Sequence, residues 1–167
     1  DGIVTRGVLL DVAAAQDRSW LNAGEGVYPE HLEAAETRQG VTVSSGDVAL
    51  LRTGYGRKKA ELGREELPAV GYAGWHAACL PWLRERSVAA IGADTAQDAM
   101  PSGYEAARQP IHMVGLTAMG LYLIDNCNLE ELAQTCARLG RWEFQFVLAP
   151  LRLSGGTGSP ANPLAIF

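Results

Sequence analysis

The sequence predicts an α/β fold with a mixed β-sheet and flanking helices, and three observations predict it. Short runs rich in Val, Leu, Ile and Ala recur at residues 4–13, 48–53 and 87–93. Helical stretches lie among them, opened by Pro29 or Asn128 and closed by Gly40 or Gly140, the usual start and stop residues. No segment repeats and no linker splits the 167 residues, so one domain over 1–167 is expected.

Residues 4–13 are rich in Val and Leu and closed by Asp11, a mostly continuous apolar run that predicts a central strand covered on both faces. Residues 15–29 are polar and punctuated by glycine, a loop. Pro29 then introduces a helix over 31–39. Ser44-Ser45-Gly46-Asp47 reads as a turn and 48–53 as a second strand. Residues 54–68 are charged and predict one loose helical turn. Trp75, Cys79, Trp82 and Leu83 fall at helical spacing, so 75–85 reads as a helix. Residues 87–93 form a third strand ending in Asp94. Residues 111–124 are apolar throughout, a helix that becomes a strand near Leu121. Asn128 caps a helix over 129–139, with Glu131 in its first turn. Residues 142–153 read as a long strand, 154–163 as a Gly/Pro loop, and 164–167 as a last short strand.

Composition narrows the function classes. Apolar residues make up 47% and charged residues 20%, with a formal net charge of −5. A net negative chain has no electrostatic reason to bind nucleic acid or an anionic membrane. No apolar run reaches the roughly 18 residues of a bilayer span, and no signal peptide is recognised. Cys79, Cys127 and Cys136 show no CxxC spacing. They read as reduced, partly buried thiols in a cytoplasmic protein.

Several motifs carry more information. Gly2-Ile3-Val4-Thr5-Arg6-Gly7-Val8-Leu9-Leu10-Asp11-Val12, Gly46-Asp47 through Leu51-Arg52-Thr53-Gly54, Trp82-Leu83 and Gly92-Ala93-Asp94-Thr95 appear in order. They are followed by Pro110-Ile111-His112, Asp125-Asn126 and the tail Pro150 to Pro163. Together these segments resemble the C-terminal part of the cyclase family, which groups metal-dependent hydrolases such as kynurenine formamidase and isatin hydrolase. The resemblance implies a kynurenine formamidase-like (swivelling β/β/α) fold, incomplete at the N-terminus. It also implies hydrolysis of an amide, formamide or lactam C–N bond in a small-molecule substrate. A biosynthetic cyclase or dehydratase, or a non-catalytic subunit, are the alternatives on the same scaffold.

The resemblance makes His112 a metal ligand, since the family supplies a second-half histidine from a helix start ahead of an acidic residue and Asn. Here that order is His112, then Asp125-Asn126. Imidazole and carboxylate suit Zn or Mn. Read without the resemblance, His112 is a core histidine. Asp125 is either a ligand or the hydrogen-bond partner of one, or a cap for the helix near Leu129; the family's formamidases usually carry Glu there. Asp94-Thr95 and Asp98 match the family's Gly-x-Asp-Thr-x-x-x-Asp pattern after a central strand, where a turn-pinning role is favoured. Gly155, Gly156, Thr157 and Ser159 form either a wall of the active-site mouth or a tight connection between strands. His76, beside Trp75, reads as a packing or interface residue and His31 as a solvated one. Arg6, Arg52 and Arg152 read as structural ion-pair partners.

One family element is missing. The upstream metal motif His-x-Gly-Thr-His-x-Asp does not occur, and the three histidines never stand at i, i+4. A divalent metal is therefore expected only if an N-terminal segment or a second chain supplies the other ligands. The start at Asp1 suggests the second part of a longer enzyme, working as an oligomer or with that partner.

Overall fold

The computed structural model describes residues 2–63 and 71–167. Its elements in chain order are β1 (Ile3–Asp11), α1 (Val12–Ala15), β2 (Gly26–Val27), α2 (Pro29–Gln39), β3 (Val48–Arg52) and α3 (Tyr55–Leu62). There follow β4 (Gly74–Trp75), α4 (Cys79–Glu85), β5 (Ala90–Ala93), a π-helix (Ile111–Leu116), β6 (Tyr122–Ile124), α5 (Glu130–Leu139), β7 (Glu143–Leu148) and β8 (Leu164–Ile166). Six strands form one sheet in the order β6-β5-β3-β1-β7-β8, and β2 pairs with β4 separately. β6, β5, β3 and β1 run parallel, while β7 and β8 are antiparallel to their neighbours. The class is α/β with a mixed sheet.

β1 sits between β3 and β7, as its apolar run predicts. Its side chains alternate between two cores. Val8 and Leu10 join the core under α2 and α4, with Leu32, Trp75, Leu83 and Ile91. Leu9 joins the other core, with Leu50, Leu129, Phe144 and Phe146 beneath α5. Two-sided burial holds only for the second half of β1, however: Val4 is 64% exposed. The strand closes at Asp11, as the sequence suggests, and the Asp11 side chain accepts from the Ala14 amide and starts the short helix α1.

Three other expectations are corrected. Residues 75–85 are not one helix: Trp75 belongs to β4, and helix begins only at Cys79. Pairing of Trp75 with residues 97–99 holds its backbone extended, overriding the helical spacing of the apolar residues. The strand predicted over 142–153 stops at Leu148, because Pro150 removes a ladder donor and the alternating burial ends there. Residues 149–163 form an exposed arm that places Arg152 in solvent. α3 has two turns rather than one; the rest of the charged stretch, 64–68, lies outside the described residues.

Ion pairs hold the sheet's two ends. Arg6 forms a bidentate pair with the buried Asp47, at 3.0 and 2.7 Å. Arg52 is buried at the carboxyl end of β3, 2.9 Å from Asp11 and 2.7 Å from Glu130 at the start of α5. A guanidinium removed from water needs this double pairing to offset its lost hydration. Arg6 and Arg52 are thus the structural partners expected of them.

Candidate functional site at the carboxyl edge of the parallel strands

The parallel strands end along one edge, where ligand sites of open α/β sheets form. Asp94 and Asp98 follow β5, Asp125 follows β6, and His112 is the second residue of the π-helix that leads into β6. His112 lies between two carboxylates. Its Nδ1 is 2.6 Å from Asp98 Oδ2, and its Nε2 is 3.2 Å from Asp125 Oδ2. The other oxygen of Asp98 accepts from the Ile111 amide at 2.7 Å. Asp98 is 1% exposed, whereas the Asp125 side chain is 37% exposed. Burial pulls the His112 imidazolium toward deprotonation, but the bonds to Asp98 and Asp125 outweigh it and hold its pKa above the usual histidine value.

The local backbone explains how these groups meet. Trp75 N–H donates to Gln97 O at 2.7 Å and Ala99 N–H to Trp75 O at 3.0 Å, so a short ladder carries Asp98 into the interior. Gln97 has φ +60° and Asn126 φ +56°. Each non-glycine left-handed residue costs of order 1–3 kcal/mol and persists only where its surroundings demand it. These two flank the carboxylates that contact His112. Gln97 is fully buried, and its Nε2 donates to the Ile124 carbonyl at 2.7 Å, tying the end of β6 to the same turn.

Asp94 has a different task. Its two oxygens accept from Thr53 N, Thr53 Oγ1, Gly54 N and Tyr55 N, at 2.7–3.0 Å. Burial pushes its carboxyl pKa up, with the Thr53 and Tyr55 donors pulling the other way. Thr95 Oγ1 donates to the Ala73 carbonyl at 2.9 Å. Both therefore pin loops, the role favoured from sequence.

The remaining candidates separate. Asp125 meets His112, while it is Asn128 Oδ1 that accepts from the Glu130 amide, at 3.4 Å, as α5 begins. Beside Asp125 opens a groove of about 480 Å³, with Phe144, Phe146, Leu129 and Phe167 in its wall. The tail contributes Ala161 to Ala165 to that groove; Gly155, Gly156, Thr157 and Ser159 are not among its lining residues. Ser159 Oγ instead accepts from the Leu151 amide at 3.0 Å, closing the arm on itself. His76 stacks on Tyr28 with ring centroids 4.2 Å apart, a packing role. His31 is not simply solvated: its Nδ1 accepts from the Tyr28 amide at 3.1 Å and secures the start of α2.

Sequence reasoning left one contact of this candidate site unassigned, that of Asp98 with His112. The spacing after β5 pointed to Asp98 but not to the side chain it would meet across 14 residues.

The chain as a whole resembles known proteins. The sequence model of the Cyclase family matches residues 1–97. A solved structure of a novel cyclase is 31% identical and superposes with a TM-score of 0.84, covering 98% of this chain and 54% of its own. The chain belongs to the Cyclase family. Isatin hydrolase A from Labrenzia aggregata, bound to benzyl benzoate, shares the fold at 22% identity, with a TM-score of 0.70 over 96% of this chain and 60% of its own. A potential metal-dependent hydrolase with cyclase activity does so at 17% identity and a TM-score of 0.66, over 96% of this chain and 64% of its own. The cyclase-family chain therefore spans little more than half the length of the solved structures it matches. No curated protein matches its sequence.

A divalent metal can be tested against the residues. His112 Nδ1 is committed to a buried carboxylate, the usual outer partner of a metal-binding histidine, which leaves Nε2 as the outward donor. Nε2 and the Asp125 carboxylate, 3.2 Å apart, are donors of the kind that Zn or Mn takes. The set fits in kind and is short in number. Among the described residues no group of three or more His, Cys, Asp or Glu side chains is placed to hold a metal ion. Among them, too, no helix is long and apolar enough to cross a membrane.

Proposed function

We propose that this Cyclase-family chain is part of a metal-dependent hydrolase that cleaves an amide, formamide or lactam C–N bond in a small molecule. The observation that carries this reading is His112, held by buried Asp98 and turned toward Asp125 at the carboxyl edge of the sheet. His112 Nε2 and the Asp125 carboxylate are the ligands this chain would contribute, and further donors come from an N-terminal segment or a partner chain in an oligomer. A divalent cation, Zn or Mn, supplies Lewis-acid polarisation of the scissile carbonyl and acidifies water when bound. Asp98 keeps the imidazole in one orientation. Asp125, the more exposed carboxylate, faces the groove where a substrate's apolar ring can lie against Phe144 and Leu129.

The test is His112→Ala in the assembled enzyme, with metal stoichiometry and melting temperature measured together. The proposal expects metal content and hydrolysis to fall while the fold survives, since His112 lies at the edge of the core and not within it. Unchanged metal content with a lowered melting temperature, a loss of about 1–3 kcal/mol, would mean that His112 is a packing residue.

A further inference from the structure

We infer that Asp98 is a positioning residue for His112: its buried carboxylate selects Nε2, and not Nδ1, as the nitrogen presented at the carboxyl edge of the sheet. This rests on the hydrolase reading above for its consequence, and on geometry alone for its substance. Both oxygens of Asp98 are in use, one on the Ile111 amide at 2.7 Å and one on His112 Nδ1 at 2.6 Å. One carboxylate thus holds the backbone that launches the π-helix and the ring that projects from its second residue. A carboxylate needed only to start the helix would leave its second oxygen free for another use.

Three constraints make the arrangement rigid. Asp98 sits in the ladder with Trp75 and cannot follow the ring if it turns. Its burial makes an unpaired oxygen costly, so rotation of His112 would give up a charge-assisted bond with no water to replace it. A neutral imidazole carries one N–H, and the buried carboxylate at 2.6 Å takes it ahead of the more exposed Asp125 at 3.2 Å, which leaves the Nε2 lone pair outward. The neighbouring Gln97 adds register: its bond to the Ile124 carbonyl fixes where β6 ends and hence where Asp125 stands relative to that lone pair.

The experiment uses the full chain labelled with ¹⁵N-histidine, its ring nitrogens read by NMR at a pH where the imidazole is neutral. The expected result is the Nδ1–H tautomer for His112 in the wild type. Asp98→Asn has one acceptor oxygen in place of two, so it cannot serve both the Ile111 amide and the ring. It should move His112 toward the Nε2–H tautomer that free imidazole side chains favour. A wild-type His112 already in the Nε2–H form overturns the inference without any variant, as does an unchanged tautomer in folded Asp98→Asn. In the assembled enzyme, Asp98→Asn should weaken Zn²⁺ or Mn²⁺ affinity by about 10–100-fold. Unchanged affinity there overturns the positioning role. A wild-type enzyme that binds neither ion instead overturns the hydrolase reading, and the tautomer still decides the role of Asp98.

Discussion

Asp94 and Asp98 are four residues apart, both buried, and both follow β5, yet their surroundings give them opposite uses. Asp94 receives four donors, all from residues 53–55, so its negative charge is consumed in holding the turn between β3 and α3. Asp98 receives two, and one is a titratable ring that reaches the surface. A buried carboxylate saturated by backbone amides is structural. One that shares its charge with an imidazole can pass an orientation outward to a ligand. Burial alone does not separate the two cases, but the identity of the donors does.

The largest test of this contrast is Asp94→Asn. The amide group must face either Thr53 or the Gly54 and Tyr55 amides, donor against donor, so unfolding in urea should show a loss of about 3 kcal/mol or more. A loss below about 1 kcal/mol would mean that the turn does not depend on the charge.

Gly54→Ala probes the same turn from the backbone side. Gly54 has φ +80°, and a Cβ there would strike the Ser19 carbonyl oxygen. The expected cost is about 2 kcal/mol, additional to the loss of any hydrogen bond to Asp94 that the shift entails. A neutral effect would show that the turn can relax and that Asp94 is holding a flexible segment.

The smallest expected effect concerns Cys127, whose amide donates to Ala93 O at 2.8 Å just before Asp94. Burial, then the charge of Asp94, pushes its thiol up to about 11. Cys79 and Cys136 are pushed up to about 12, chiefly by burial. A raised thiol pKa means protonated sulfur, so at pH 8 about one Cys127 in a thousand is ionised. Iodoacetamide should therefore label the native chain far more slowly than the urea-unfolded chain, with Cys127 the fastest of the three. Rapid native labelling of Cys127 would place this sulfur, and the ends of β5 and β6 around it, in contact with water.

Much of the fold was legible in the chain. Largely apolar runs marked the second half of β1, and β3 and β5, because strands covered on both faces have no polar side to display. Pro29, Gly40, Asn128 and Gly140 bracketed α2 and α5 to within a residue or two, since caps are local chemistry. The failures arose where distant contacts overrode local pattern. Trp75 stands at helical spacing from Cys79 but is extended, because residues 97–99 pair with it. The predicted strand over 142–153 lost its second half once Pro150 ended the ladder beside β1. At the site, the resemblance singled out His112 and Asp125, and the chain spacing left open whether they touch.

The sequence by itself determined the α/β class, the central place of β1, the boundaries of α2 and α5, and the residue types available at the carboxyl edge. These follow from periodicity and capping, which act within a few residues. Only the tertiary structure decided that Asp98 grips His112, that Asp94 does not, that Asp125 faces Nε2, and that Gly155 to Ser159 stand apart from the groove. Those outcomes depend on strand order and on two left-handed turns, at Gln97 and Asn126. Contacts between side chains 13 and 14 residues apart are set by where the sheet places their backbones, and no local pattern encodes that placement.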